Sequence, residues 1–439
     1  MSEFDLLVRG EQQDIGVSGG KIVELGENLA GSAMSEIDAT QLAIFTGVID
    51  AHVHFNEPGR TEWEGFATGS RAAAAGGTTT VFDMPLNSHP PTIDRDSFEQ
   101  KRTAAEAASL VDFGLWGGLV PGNADKLEEL RDCGVVGLKA FMSNSGMEDF
   151  AAVDDETLRA GMKRAAELQL LVAVHAESET MTRELTGRAL AEGKSGVRDY
   201  LATRPVEAEL EAIRRAIEFA GETGCKLHIV HVSSGRGVAA VVEARAQGVD
   251  VTCETCPHYL VLTEEDMITL GAVAKCAPPL RSAQDQQVLL TTLREVSTIG
   301  SDHSPSPPEM KEQENFFRVW GGISGCQHLL PLLIECEVTR EEIARLTSRS
   351  VAELFQLPGK GEISVGNDAD FSLVEMNAAE TVTAESLHYR HGHSPYVGRK
   401  LRARVVRTFL RGETVFQDGL FAARTSGRFV RPRVGFSAA

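Results

Sequence analysis

The pattern of hydrophobic and polar positions changes character twice along the chain. From Phe4 to Phe45, short apolar runs alternate with polar residues: Phe4-Asp-Leu-Leu-Val-Arg9 is followed by Ile15-Gly-Val-Ser-Gly-Gly-Lys-Ile-Val-Glu-Leu25. The Ser18-Gly19-Gly20 interruption predicts a hairpin, because glycines supply the left-handed backbone that a tight β-turn needs. The same texture returns in Asp370-Phe-Ser-Leu-Val374, in residues 403–412 and in Thr414-Val-Phe416. Two β-rich ends around a different middle predict one small sandwich assembled from both termini. Gly10-Glu-Gln-Gln-Asp14 leaves a short strand pair ahead of Gly20, and the Arg- and Gly-bearing tail after Gly419 is expected to be only partly ordered.

The middle is a regular series. Apolar, β-branched runs that read as buried strands occur at 48–49, 78–83, 111–116, 135–139, 170–175, 226–231, 249–254 and 296–302. Segments of helical composition and period lie between them, among them 66–75, 97–107, 155–167, 205–220 and 237–246. Strands alternating with helices in this way predict an α/β fold, a (β/α)8 TIM-like barrel with the small β-sandwich built from both chain ends. The expected division is 1–46 for the N-terminal part of the sandwich, 47–365 for the barrel, and 366–439 for the C-terminal part and tail. In a barrel of this kind the chemistry gathers at the C-terminal ends of the strands.

Those ends carry a constellation. The first candidate strand, within Gly47-Val48-Ile49-Asp50-Ala51-His52-Val53-His54-Phe55, finishes in two histidines separated by one residue. Residues i and i+2 of a strand share a face, so both imidazoles project to one side as neutral nitrogen donors, which a divalent cation accepts. Two surface histidines beside a turn would show the same spacing. The remaining ends favour the metal: the fourth strand finishes in Lys139, the fifth in His175, the sixth in His231 and the eighth in Asp302. Metal-competent side chains at the same relative position on different strands predict a binuclear site. Lys139 is the odd member, since an ammonium is a poor ligand. Carbon dioxide added to its amine would give a carbamate whose oxygens can bridge two cations; a lysine neutralised by its surroundings is the alternative. Glu177, two residues past His175, is placed to orient the site by hydrogen bonds, and His258 and His303 lie close to strand ends.

Charge and cysteine content narrow the function classes. The 439 residues hold 63 acidic against 43 basic side chains, a formal net charge of −20, which repels nucleic acid and anionic membrane surfaces. No apolar run approaches the length of a membrane span, and residues 1–10 lack the basic-then-apolar pattern of a signal peptide. A cytoplasmic protein without nucleic-acid or membrane partners is therefore expected. The seven scattered cysteines read as reduced thiols. Cys253 and Cys256 read as incidental to a strand, because no second pair follows at zinc-site spacing.

The blocks His52-Val53-His54, Gly137-Leu-Lys139, Val174-His175-Ala-Glu177, Ile229-Val-His231-Val-Ser233 and Gly300-Ser-Asp302-His303 resemble the cyclic-amidohydrolase branch of the amidohydrolase superfamily. That branch includes allantoinase, dihydropyrimidinase (hydantoinase) and dihydroorotase, and the likeness covers nearly the whole chain. The resemblance implies one divalent ion held by His52, His54, Asp302 and carbamylated Lys139, and a second held by the same lysine with His175 and His231. It also implies that Asp302 is the catalytic acid and base; an aspartate serving only as a ligand is the alternative. The mixed donors suit zinc, with cobalt, iron, nickel or manganese as alternatives. Members of the branch are often tetramers, so a homo-oligomer is implied.

Residues outside the ligand set bear on the substrate. After His54 the chain reads Phe55-Asn56-Glu57-Pro58-Gly59-Arg60, with Asn56 where dihydroorotases of similar motif carry an arginine that pairs with the substrate's carboxylate. Asparagine cannot supply that charge-assisted contact. After Lys139 comes Ala-Phe-Met-Ser-Asn-Ser-Gly146, without the tyrosine that dihydropyrimidinases carry there. Asp83-Met-Pro-Leu-Asn-Ser88, Glu254-Thr-Cys-Pro-His-Tyr259 and Lys275-Cys-Ala-Pro-Pro-Leu-Arg281 are similar to the allantoinases of the branch. A small cyclic ureide is thus the implied substrate, with (S)-allantoin opened to allantoate in purine catabolism. A hydantoinase-like or dihydroorotase-like amidase is the alternative, and a non-catalytic barrel scaffold is disfavoured because every ligand position is filled. Asn56, Asn87, Ser143 and the backbone at Cys276 and Ala277 are candidate contacts to a neutral polar ring, and each also suits a turn or cap. His391-Gly-His393-Ser-Pro-Tyr396 repeats the His-x-His spacing beyond the barrel strands and is expected to play a structural part between barrel and sandwich.

Overall fold

In the computed structural model, which describes residues 2–433, every candidate barrel strand is present and parallel to its neighbours. Val48–Val53 pairs with Thr78–Asp83, and that strand with Asp112–Leu115. The third strand resumes past Trp116 as Gly117–Gly118, which pairs with Leu138–Phe141. Val172–His175, Leu227–Ile229, Val251–Thr255 and Thr298–Ile299 follow in order. The cylinder closes at its C-terminal rim, where the His54 N–H donates to the His303 carbonyl at 2.7 Å and Val53 bridges to His303. The eighth strand is shorter than its apolar run predicts. Its continuation leaves the ladder because the Ser301 N–H is taken, at 2.9 Å, by the carboxylate of Asp50.

Helices cover the outside close to their expected positions: Phe66–Ala75, Arg95–Ala108, Asp155–Glu167, Val206–Thr223 and Gly235–Ala246. Val206–Thr223 buries Leu210, Ile213, Ala216 and Phe219, a helical spacing that lays one stripe on the strands. Asp94 and Ser97 form a reciprocal cap at the start of Arg95–Ala108, and Asp154 caps the next helix by accepting from the Thr157 N–H. Inside the cylinder, Ile49, Phe82, Trp116 and Leu171 pack with Phe355 and Leu357, which follow the helix Ser350–Leu354 beyond the last barrel strand. This plug fills one end and leaves the other for the site.

The two chain ends build the sandwich. Lys21–Gly26, Asp14–Ser18, Ser2–Gly10 and Gly31–Ala39 form one sheet, and Leu420–Phe421, Glu413–Gln417, Arg404–Leu410, Phe371–Glu375 and Ala43–Thr46 form the other. Leu6, Val8, Ile15 and Ile22 of the first meet Phe371, Leu373 and Phe409 of the second. Gly19 and Gly20, at φ 59° and 78°, make the expected turn. Ser2–Gly10 runs longer than the sequence suggests because Gly31–Ala39 returns parallel beside it, a strand whose mostly exposed side chains give no alternating signal. The described part of the tail after Gly419 is docked on the barrel. Phe429 packs on Phe98 and Phe113, and the Val430 N–H donates to the Phe113 carbonyl at 2.8 Å. A few apolar residues among arginines do this anchoring; residues 434–439 of the expected tail lie outside the described residues. All seven cysteines are free, and no described helix is long and apolar enough to cross a membrane.

A buried charge cluster joins the barrel to the sandwich. Lys360 Nζ lies 2.6 Å from Asp370, 2.8 Å from Asp112 and 3.1 Å from Asp368, and Arg411 grips both oxygens of Asp112. Three carboxylates converge here, but an ammonium occupies their centre, so the group is an ion-pair network. Removing one partner of a buried network strands the others in a medium that solvates them poorly. Lys360→Met is expected to cost about 3–5 kcal/mol of stability, read as a lower denaturant midpoint; an unchanged midpoint would show that the cluster does not hold the two parts together.

Candidate metal centre

The rim is shaped by a bulge. Asp50 pairs with Val81 and Val53 with Asp83, so three steps along the first strand match two along the second. The extra residue re-aims the following side chains, and the His52 and His54 rings come to 5.5 Å of each other. Four non-glycine residues around them adopt left-handed backbone: Asn56 (φ 64°), Asn87 (φ 66°), His231 (φ 41°) and Asp302 (φ 46°). Such backbone costs about 1–3 kcal/mol per residue and persists only where the surroundings over-determine it. Around Asp302 the surroundings are the Asp50–Ser301 bond and the His54–His303 bond. Past His231, the Val232 N–H donates to the Glu254 carbonyl at 2.7 Å and the Ser233 N–H to Glu209 at 2.7 Å.

All six expected ligands come together. Asp302 Oδ1 lies 3.2 Å from His52 Nε2 and 3.4 Å from His54 Nε2. His175 Nδ1 and His231 Nε2 face each other at 3.1 Å, and the His231 ring is 5.5 Å from that of His52. Lys139 is wholly buried, with its Nζ 5.1 Å from the centre of the Phe141 ring and no hydrogen-bond partner. Burial drives His54, His175 and His231 below the ordinary imidazole value, so neutral rings face the centre. Burial also lowers the Lys139 amine to about 7, against the pull of Asp302 and Glu254. For Asp302, burial alone would raise the carboxyl, but His52, His54 and His231 hold it far below the usual carboxylate range.

A surrounding layer sets which nitrogen of His52, His54 and His175 faces inward, while His231 Nδ1 has no partner. His52 Nδ1 donates to Glu254 Oε1 at 2.7 Å, which leaves Nε2 as a lone pair toward Asp302. His175 Nε2 donates to Glu177 Oε2 at 2.9 Å and leaves Nδ1 free. Burial opposes the charge on both carboxylates. His52 and His228 nonetheless hold Glu254 down to about 2, while Arg204, His175 and Arg281 do the same for Glu177. His54 Nδ1 lies 3.3 Å from Asn87 Nδ2, and Asn87 Oδ1 has no partner. Turning that amide over lets Oδ1 accept from Nδ1–H, satisfies both groups and frees His54 Nε2. Inward lone pairs and the orphaned Lys139 amine, all buried, together with the partly exposed Asp302 carboxylate fit divalent cations, because an ion would satisfy them together.

Glu177 plays the orienting part expected of it. Glu254 was not singled out from sequence, although its place at the C-terminal end of a barrel strand was a usable signal. Asp50 reads as one more buried strand residue, and Arg204 lies between two helices, Val197–Ala202 and Val206–Thr223, with nothing local to mark it.

The centre floors a cavity of about 750 Å³. Asn87, Cys276 and Ala277 line it together with Leu86, Phe141, Phe317 and Trp320. The Cys276 carbonyl accepts from the Tyr200 hydroxyl at 2.9 Å. Asn56 and Ser143 are buried but are not part of the wall; Asn56 Nδ2 donates to the Pro305 carbonyl at 3.4 Å, and Ser143 Oγ has no partner. His258 is buried outside the wall with both ring nitrogens unpartnered, and His303 Nδ1 accepts from the Gly325 N–H at 3.1 Å. His391 donates to the Glu62 carbonyl at 2.8 Å and Ser394 to the Ser324 carbonyl at 2.7 Å, so their segment straps the barrel loops.

Residues 43–415 match the amidohydrolase family. The allantoinase of Rubrobacter xylanophilus is 55% identical over 99% of this chain and 99% of its own length. That of Deinococcus radiodurans is 51% identical over 98% and 99%. Among solved structures, L-hydantoinase (dihydropyrimidinase) from Arthrobacter aurescens superposes with a TM-score of 0.93 at 32% identity, covering 98% of this chain and 99% of that one. By sequence and by architecture the chain belongs to the amidohydrolase family, where its relatives bear the name allantoinase.

Proposed function

We propose that the protein hydrolyses (S)-allantoin to allantoate, opening one ring C–N bond with the help of two divalent cations. The observation that carries this reading is the convergence in one cavity of His52, His54 and Asp302 with Lys139 and the facing His175–His231 pair. Relatives named allantoinase match at 42–55% identity, against 26–32% for the hydantoinases of similar fold, so sequence favours allantoin over a plain hydantoin. Asn56 in place of a guanidinium favours a ring without a carboxylate.

In this reading His52, His54, Asp302 and Lys139 hold one ion, and Lys139, His175 and His231 the other. Zinc suits the donor set, with cobalt, iron, nickel or manganese as alternatives. The Lys139 amine attacks carbon dioxide, forms an N–C bond and sheds a proton, leaving an anionic carbamate with two oxygens. Bound cations would acidify a shared water toward neutral pH and polarise the ring carbonyl. Asp302 accepts the proton of that water as it adds to the carbonyl carbon and returns it to the ring nitrogen as the C–N bond breaks. The carbon ends as a carboxylic acid, which releases the second proton of the water to solvent and becomes a carboxylate, and the ring N–H ends as NH2. Asn87 and the backbone at Cys276 and Ala277 orient the ring, Asn56 and Ser143 support it from behind the wall, and Leu86, Phe141 and Trp320 exclude bulk water. Resemblance to the branch adds a homotetramer, and a cytoplasmic location is proposed with it.

Three outcomes test the reading. The purified protein should carry two divalent ions per chain and open allantoin while leaving dihydroorotate intact; faster turnover of dihydroorotate would overturn the substrate assignment. Lys139→Ala should lose metal and on the order of a thousandfold in rate, with part of the activity restored by a short carboxylic acid that replaces the carbamate. Full activity in that variant would remove the bridging role. Because burial lowers the Lys139 amine from 10.5 to about 7, its reactive neutral form grows as pH rises through about 7 and saturates above it. Reactivation of metal-free protein by cation, at fixed dissolved carbon dioxide, should accelerate over that window; a rate that stays flat until the range of an ordinary lysine would contradict it.

A further inference from the structure

We infer that Glu254 and Glu177 are positioning residues, one for each cation, and that the ion between His175 and His231 is the first to be released. This rests on the two-cation reading above and extends it to the order in which the centre fills and empties.

The two carboxylates act alike at first sight. Glu254 accepts from His52 Nδ1 at 2.7 Å and Glu177 from His175 Nε2 at 2.9 Å, and both are fully buried. Each fixes a tautomer and a ring orientation, and each lends negative charge to its imidazole, which makes the opposite nitrogen a stronger donor.

What stands behind them differs. Arg204 Nη1 lies 2.5 Å from the same Glu177 oxygen that receives the His175 bond, so that oxygen divides its charge between an imidazole and a guanidinium. Among the described residues no lysine or arginine nitrogen lies within 4.0 Å of Glu254; only His228 Nε2, at 4.0 Å, approaches its other oxygen. His52 therefore receives the support of a carboxylate with no paired cation, while His175 receives that of a neutralised one. The donor sets reinforce the difference. Asp302 adds an anionic oxygen over His52 and His54, whereas no carboxylate contact accompanies the face shared by His175 and His231. A cation held by fewer anionic donors, with weaker support behind them, leaves first.

Chelator titration of the loaded, purified protein tests this, with metal counted per chain by mass spectrometry and the cobalt-substituted form followed by absorbance. The parent should lose its ions in two steps of one ion each. Glu177→Gln should move the first step to about 10- to 100-fold lower chelator and leave the second in place. Glu254→Gln should move the second step by a similar factor, toward the first. Should Glu254→Gln fail to fold, Glu254→Asp, which withdraws the carboxylate from His52 by one methylene, should give the same selective shift to a smaller degree. Two ions leaving together from the parent, either substitution shifting both steps equally, or neither shifting any would overturn the inference. A parent that binds no ions at all would instead remove the two-cation reading itself.

Discussion

The seam between the first and last barrel strands is the constraint on which the centre depends. Asp50 and Ser301 are 251 positions apart, and the bond between them does what a backbone ladder does elsewhere in the cylinder. Only Thr298 and Ile299 pair as regular strand before two side-chain bonds take over, Asp50 to Ser301 and Ser301 to the His52 carbonyl, and the backbone rejoins where the His54 N–H donates to the His303 carbonyl. A regular strand would alternate residues 301 to 303 in and out. Freed from the ladder, Asp302 takes a left-handed conformation and turns its carboxylate onto His52 and His54. The closure has a cost. Burial raises the Asp50 carboxyl to about 6 against the bonds from Ser301 and His52, so the native state holds this proton more tightly than the unfolded chain. Its contribution to stability therefore falls as pH rises from the unfolded value of 3.8 through about 6. Stability has been given up at the seam to place one carboxylate.

Partners decide what the buried charges of this protein are free to do. Lys101 and Asp83 neutralise one another at 2.6 Å while Asp83 also fixes the Phe55 N–H, which sets where the loop after His54 leaves the strand. Lys360 and Arg411 are consumed by three aspartates and serve only to join barrel and sandwich. Lys139 is the exception, a buried amine with no partner. The other buried lysines meet carboxylates or, as Lys275 and Lys311 do, backbone carbonyls; among the described residues this amine meets neither.

The fold was legible because the barrel repeats one signal: β-branched runs alternating with amphipathic helices, and metal-competent residues at the ends of the runs. The candidate ligands could be picked out for the same reason, since a strand end is a sequence address. What could not be read lies off that grid. Gly31–Ala39 gave no sign because its side chains are mostly exposed and its pairing with Ser2–Gly10 is parallel and local. The docked tail hides three anchoring contacts among arginines. Glu254 lay on the grid and was passed over because a carboxylate at a strand end is as readily a ligand, a base or a buried ion pair; only the 2.7 Å contact to His52 separates these. The left-handed backbone at His231 and Asp302 is set by contacts from remote residues, which a one-dimensional pattern does not contain.

Catalysis and recognition sit on different layers of the molecule, and Asn87 belongs to both. The candidate ligands come from strand ends and are held by the cylinder, whereas the cavity wall comes from loops that are tied to each other. Arg60 donates to the Asn87 and Ser88 carbonyls and pairs with Asp149 at 3.2 Å, His89 meets the same aspartate at 2.8 Å, and Trp63 packs edge-on against Trp320. Loops following four different strands are thus tied into one rim. Relatives can then change the wall without disturbing the ligands, which is consistent with a fold shared at a TM-score of 0.93 when only 32% of residues are identical. Asn87 breaks that independence: one end of its amide sets the tautomer of His54 while the residue lines the cavity. A side chain that touches a ring of the centre and also lines the cavity ties the wall to the ligand set, so this one position cannot change in the wall without disturbing the centre.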